Sequence, residues 1–226
     1  MKTFNRDKVL VVVPAYNAAQ HLPELIARCR RILGDNDLLF VNDGSTDASL
    51  DILKREGVSY ITYLDNRGKG AALQTAFAYA LEQDYRSVLT LDADLQHPPE
   101  EIPDFIRADN GRTVLVGTRR MNLKIMPFGR WLSNNLTSII VSVFSSARVR
   151  DSQSGFRLIP VEALRLVPLK CVGYDFESEL LFKIGALGYP VSEVPISTIY
   201  DGSRSFINPY KDTLRFIRQI WKRIWF

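Results

Sequence analysis

With 226 residues, 46% of them hydrophobic and 24% charged, the chain has the balance of a globular protein with a sizeable core, which excludes disordered and fibrous classes. Cys29 and Cys171 lie far apart and without metal-ligand spacing, which argues against a disulfide scaffold or a zinc site and favours a reduced, intracellular protein. No window holds the roughly 20 apolar residues of a bilayer span, and a net charge of +4 leaves nucleic acid, a membrane surface or a phosphorylated substrate as partners.

Taken in order, "KVLVVVPAYN" (8–17) reads as a strand apolar on both faces, too short and wrongly ended for a signal peptide. "HLPELIARCRRILG" (21–34) repeats apolar residues at helical spacing and stops at Gly34. "LLFVNDGS" (38–45) is a second strand, and Ser45 or Thr46 is expected to cap a helix running to Gly57. A strand "SYITYL", an alanine-rich helix "GKGAALQTAFAYALEQ", a strand "SVLTL", a short helix "EEIPDFIRA" and a strand "TVLVGTR" complete an alternation of five strands and four helices by Arg119. Such alternation predicts an α/β fold with a mostly parallel sheet flanked by helices, binding ligand beyond the carboxyl ends of its strands.

Beyond Arg120 the alternation stops. A helix is expected over Arg130–Ala147, a polar turn over Asp151–Arg157 ("DSQSGFR"), a helix over 173–189 and a last strand over 191–200. The chain reads as a single domain, 1–226. A soft division separates a regularly alternating half (1–120), an irregular half (121–209) and a terminal helix (210–226).

Polar clusters stand at three strand ends: Pro14–Asn17, Asn42–Ser45 and Asp92–Gln96. Asp92 and Asp94 are one residue apart, so both can converge on one ligand where the strand ends. Oxygen donors suit Mg²⁺ or Mn²⁺, and Mg²⁺ uses one or two carboxylates plus substrate phosphates. An isolated D-x-D is equally a capping residue and a solvated one.

The order of motifs is more specific. "PAYN", "NDGSTD", "NRGKGAALQTAF", "DADLQHPPE", "VLVGTRR" and "DSQSGFR" together resemble family 2 glycosyltransferases of GT-A fold over nearly the whole chain, closest to the dolichyl-phosphate mannosyltransferase and polyprenyl-phosphate glycosyltransferase branch. The resemblance implies that Pro14, Ala15 and Tyr16 line the base and ribose of a nucleoside-diphosphate sugar, with Asp43 bonded to the base. It implies that Asp92, Ala93 and Asp94 hold ribose, metal and diphosphate, with Gln96 as a further metal or phosphate contact. Ala18 stands where many members of this branch carry an acidic residue, so uracil and guanine both remain open as the base. Lys69 in "GKG" either approaches phosphate or is solvated.

The reaction implied is inverting transfer through an oxocarbenium-like state. A hydroxyl acceptor needs a general base, and Asp151 is the best candidate; a phosphate acceptor, largely dianionic at neutral pH, needs none. In that case Asp151 orients the metal, the sugar or an arginine. Arginine forks match phosphate oxygens, and the resemblance implies that Arg119, Arg130 and Arg204, with Asn134 and Ser203, hold the phosphate of a polyprenyl lipid; a solvated basic face is the alternative reading of these arginines. Glu177 and Glu179 are secondary candidates. In "YKDTLRFIRQIWKRIWF" (210–226) one helical face is apolar with two tryptophans and the other is basic, the pattern of a helix lying in a membrane interface. A peripheral position on the cytoplasmic face of a membrane follows. Nucleic acid is a poor partner, because the basic patches lack interleaved stacking aromatics. Rival readings are the same donor chemistry with a saccharide hydroxyl acceptor, and a nucleotide-binding module without turnover.

Overall fold

A computed structural model describes residues 8–33, 37–119, 150–152, 154–167 and 176–197. Seven strands form one sheet: β1 (Val9–Ala15), β2 (Leu38–Asn42), β3 (Ser59–Thr62), β4 (Ser87–Thr90), β5 (Val114–Arg119), β6 (Arg157–Pro160) and β7 (Val191–Ile196). Their order is β3-β2-β1-β4-β6-β5-β7. β6 runs antiparallel to both β4 and β5, whereas the remaining pairings are parallel. The mostly parallel, helix-flanked α/β architecture matches the sequence expectation.

The helices α1 (Leu22–Leu33), α2 (Ser49–Glu56), α3 (Lys69–Glu82), α4 (Ile102–Ala108), α5 (Val161–Leu166) and α6 (Phe176–Ala186) divide between the two faces. Leu22, Leu25, Ile26 and Cys29 of α1 pack with Leu53 of α2 and Phe105 of α4 against Val11, Val13 and Phe40. On the opposite face Ala72, Ala76 and Ala80 of α3 meet Leu164 of α5 and Leu181 of α6 above Val12, Val41 and Val88. The small alanines let α3 approach the sheet closely. The apolar-on-both-faces reading of β1 therefore has a direct cause: Val9 to Val13 alternate between two cores, each at most 5% exposed.

Two details depart from expectation. First, α2 begins at Ser49 behind Ala48, with no side-chain cap. Ser45 and Thr46 are used elsewhere, because Asn17 adopts a left-handed turn (φ 50°) that brings it against them. The Asn17 N–H donates to Ser45 Oγ at 3.0 Å, and the Thr46 N–H donates to Asn17 Oδ1 at 2.8 Å. Second, the expected polar turn runs straight into β6 and α5. "RLIP" is buried at all four positions, so it shows neither the alternation of a half-exposed strand nor enough length to be told from a loop. The predicted helix 130–147, the chain after Ser197 and the terminal helix 210–226 lie outside the described residues.

Candidate active site

The carboxyl ends of β1, β2 and β4 are neighbours because β1 sits between the other two. The Asp43 N–H donates to Ala15 O at 2.8 Å, and the Leu91 N–H donates to Val12 O at 2.9 Å. This ladder brings Pro14–Tyr16, Asp43 and Asp92 to one edge of the sheet. Tyr16 is half exposed there while Ala15 is buried. The loop after β1 is laced to the loop after β2: besides the Asn17 bonds, the Ala18 N–H donates to Ser49 Oγ at 2.9 Å and the Ala19 N–H to Asp47 Oδ2 at 3.1 Å. These backbone bonds, together with burial, shape the Asp47 carboxyl; burial raises its pKa, but the Ser49 and Ala19 donors hold it below the ordinary value.

Asp43 is 2% exposed. Its carboxylate accepts the Arg67 N–H and the Gly68 N–H, each at 2.8 Å, and the Asn66 Nδ2–H at 3.1 Å. Asp43 thus holds the turn that opens α3, so a contact to a base would have to share a carboxylate already engaged by three donors. Gly44 explains the closeness of that turn: its φ is +64°, and an added Cβ would stand 2.3 Å from the Asp65 carbonyl carbon.

The anchored turn delivers Lys69, whose Nζ lies 2.7 Å from Asp92 Oδ1. Burial opposes ionisation of Asp92, but the Lys69 ammonium, helped by His97 and Arg157, holds its carboxyl below the ordinary range. Asp92 is walled from behind by Gly155, where a Cβ would stand 2.2 Å from Asp92 Oδ2. Gly155 is kept in place by Thr90, whose Oγ–H donates to its carbonyl at 2.7 Å. Asp94 follows in a tight turn: its Oδ1 accepts the Gln96 N–H at 3.0 Å, with Leu95 at φ 57°. Burial and then the Asp92 charge push the Asp94 carboxyl above the ordinary range. Ala93 is partly buried between the two aspartates.

His97 is 5% exposed and packs 5.9 Å from the Phe156 ring, its Nδ1 lacking a hydrogen-bond partner among the described residues. Burial lowers its pKa. The charges of Asp92 and Asp94 act on its imidazole against that of Arg119.

Arg119, at the end of β5, grips Asp151 with both prongs: Nε to Oδ2 at 2.6 Å and an NH2 proton to Oδ1 at 2.8 Å. Asp151 is fully buried, while the Arg119 side chain is 19% exposed. Arg157 is 1% exposed and donates to the carbonyls of Ser152 and Ser154, each at 2.7 Å. The turn 151–157 is therefore held by its own arginine. Glu179 pairs with Lys183 at 2.7 Å on α6. Arg130, Asn134, Ser203 and Arg204 lie outside the described residues, as does the Glu177 side chain.

One continuous chain of contacts results, from Asp43 through the 66–68 turn and Lys69 to Asp92 and Gly155, with the Arg119–Asp151 pair at the head of the Gly155 turn. Gly155 and the Lys69–Asp92 pair were not assigned as site features from sequence. Their signal was present, a glycine inside "DSQSGFR" and a lysine between two glycines, but neither names its partner. Among the described residues no three Asp, Glu, His or Cys side chains gather to hold an ion alone. Two hard carboxylates on one turn still fit Mg²⁺ or Mn²⁺ if phosphate oxygens supply other ligands.

A family model described as glycosyl transferase family 2 matches residues 10–167. An uncharacterised protein of Methanocaldococcus jannaschii is 34% identical over 203 residues, covering 87% of this chain and 83% of that protein. The undecaprenyl-phosphate mannosyltransferase of Micrococcus luteus is 27% identical over 203 residues, covering 85% of this chain and 84% of its own length. In fold, the chain resembles the crystal structure of glucosyl-3-phosphoglycerate synthase from Mycobacterium tuberculosis with Mn²⁺, UDP and glucosyl-3-phosphoglycerate. The TM-score is 0.75 at 19% identity, over 96% of this chain and 80% of that one.

Proposed function

Because the chain belongs to glycosyl transferase family 2 and has the GT-A fold, we propose that it is a metal-dependent, inverting hexosyltransferase. Its donor is a nucleoside-diphosphate sugar and its acceptor a polyprenyl phosphate presented at the cytoplasmic face of a membrane. A relative covering most of the chain bears the name undecaprenyl-phosphate mannosyltransferase, which supports the lipid acceptor.

The observation that carries the choice of acceptor is the state of Asp151. A general base must reach the proton it removes, but this carboxylate is buried and gripped bidentately by Arg119. A phosphate acceptor needs no such base. Asp151 then serves to aim Arg119 toward the acceptor phosphate, with Arg130, Asn134, Ser203 and Arg204 as its other holders.

In this reading Pro14, Ala15, Tyr16 and Asp43 surround the nucleoside, with Ala93 beside it. Asp92 and Asp94, with Gln96, hold Mg²⁺ or Mn²⁺ against the diphosphate. The cation, when bound, offsets the negative charge that grows on the departing nucleoside diphosphate. A phosphate oxygen of the acceptor forms the new bond to the anomeric carbon as the bond to the diphosphate oxygen breaks. Attack from the opposite face inverts the centre, and no proton transfer is required. Among the described residues no helix is long and apolar enough to cross a membrane; the 210–226 segment, with its basic and tryptophan-bearing faces, is proposed as the surface contact.

The test is turnover. UDP-, GDP- and dTDP-sugars are screened by thermal shift with and without Mn²⁺, since the true donor raises the melting point by mass action. The best donor is then offered polyprenyl phosphate or polyprenol in vesicles. Glycosylated polyprenyl phosphate, absent with polyprenol or with chelator, is the expected product. A donor that binds and is never consumed points to a binding module, and transfer to hydroxyl acceptors alone refutes the phosphate reading.

A further inference from the structure

The Lys69–Asp92 pair has an unusual placement, because a lysine cation stands on the carboxylate expected to carry a divalent one. Its geometry is tightly built. The Lys69 backbone follows directly on the Arg67 and Gly68 N–H groups that Asp43 holds at 2.8 Å, so the stem of the side chain is fixed. Asp92 cannot retreat either, since Gly155 backs its Oδ2 so closely that even a Cβ would overlap it. The pair is partly solvent-accessible, with side-chain exposures of 21% and 27%, so solvent reaches it.

We propose that Lys69 is the resident counter-ion of the donor aspartates: it occupies Asp92 when no ligand is bound and is displaced when a divalent cation arrives. This rests on the reading of Asp92 and Asp94 as the cation's ligands. Two carboxylates one residue apart repel each other, and a tethered cation relieves that repulsion at high effective concentration. The same tether makes Lys69 a competitor of any free metal ion. An incoming diphosphate removes the competition, because it gives the ammonium phosphate oxygens to bind instead. Metal and nucleotide are then taken up as a pair, and the metal alone is held weakly. The exchange proceeds by rotation of the Lys69 side chain about its stem.

The experiment is Mn²⁺ binding to the full chain, followed by the paramagnetic resonance signal of the free ion. Wild type, Lys69→Met, Lys69→Arg and Asp94→Asn are compared without nucleotide and then with UDP or GDP. Without nucleotide, Lys69→Met binds Mn²⁺ about fivefold more tightly than wild type, the scale of a partly exposed ion pair, and Lys69→Arg stays near wild type. With saturating Mn²⁺, Lys69→Met binds the nucleoside diphosphate about fivefold more weakly. The two effects have opposite signs, which a merely structural lysine would not produce. Unchanged or weaker Mn²⁺ binding by Lys69→Met, while Asp94→Asn loses Mn²⁺, overturns the exchange and leaves the metal reading standing. If wild type binds no Mn²⁺ even with nucleotide, or Asp94→Asn binds it normally, both fall. Should Lys69→Met fail to fold, Lys69→Gln carries the same expectations.

Discussion

Gly155→Ala tests whether the position of Asp92 matters apart from the stability of the fold. Alanine ordinarily stabilises a compatible glycine site by about 0.4–1 kcal/mol through the unfolded chain, and φ at Gly155 does not lie in the left-handed region. Any loss must therefore come from the new methyl. It would stand 2.2 Å from Asp92 Oδ2, 2.7 Å from Cγ and 2.8 Å from Oδ1, so something must move by about 1 Å to reach ordinary contact. The backbone of residue 155 is held by Thr90 at 2.7 Å, and the next residue, Phe156, stacks on Phe105 at 4.4 Å. The Asp92 carboxylate is the far end of a short side chain, so it is the group that yields, moving away from residue 155 and disturbing its pairing with Lys69. Overpacking of this kind costs on the order of 1–3 kcal/mol, and the alanine gain offsets part of it. For a chain of this size that predicts a fall in melting temperature of a few degrees. Activity should fall much further, by about 100-fold in kcat/KM, because a displacement of about 1 Å in a positioning group has that effect. The assay pairs a thermal melt with donor consumption under Mn²⁺ and polyprenyl phosphate. A variant with wild-type kcat/KM would refute the placement of Asp92 in the reacting site. A variant that simply fails to fold would refute the claim that the side chain, not the turn, yields.

Asp151→Asn leaves the partly exposed Arg119 guanidinium facing an amide; breaking a largely buried pair costs about 3 kcal/mol, the lower end of the buried range, so the melt should drop by less than about 10 °C. Arg119→Met with Asp151→Leu should recover most of that stability without activity, and additive losses in the double variant would remove the pair from consideration. Asp94 has a raised pKa from burial and the Asp92 charge, so its ionised form destabilises the metal-free fold and stability is regained as pH falls through that raised pKa. Asp94→Asn should therefore melt higher than wild type at neutral pH without metal, with the gap closing on acidification, while Mn²⁺ binding is lost; a lower melt at neutral pH contradicts the sign. Cys29 is fully buried in α1, and burial pushes its thiol up to about 12. Peptide-resolved alkylation at pH 8 should label it only as fast as the domain opens; rapid labelling of folded protein would show α1 unseated.

Much of this molecule is written locally. The valines of 9–13, the helical stripe of 22–33 and the alanine run of 71–80 each state their element without reference to the rest, because burial against a layered core imposes a period of 2, 3.6 or none. The polar residues Asp43, Asp92 and Asp94 stand out against those apolar runs, so the sheet edge that gathers them was legible too. β6 was not, since four buried residues headed by an arginine and ended by a proline carry no period. The Ser45 and Thr46 hydroxyls went to Asn17 instead of a helix cap because both loops leave the same sheet edge.

What only the tertiary structure decided is which groups meet. Asp43 is spent on a turn 24 residues away, Asp151 on an arginine 32 residues away, Asp92 on Lys69 and the face of Gly155. Strand order makes these neighbours: β1 lies between β2 and β4, and antiparallel β6 carries the 151–157 turn back beneath Asp92. Hydrophobic pattern is a property of short stretches, but the partner of a charge depends on how the sheet is threaded, and no stretch of sequence contains that.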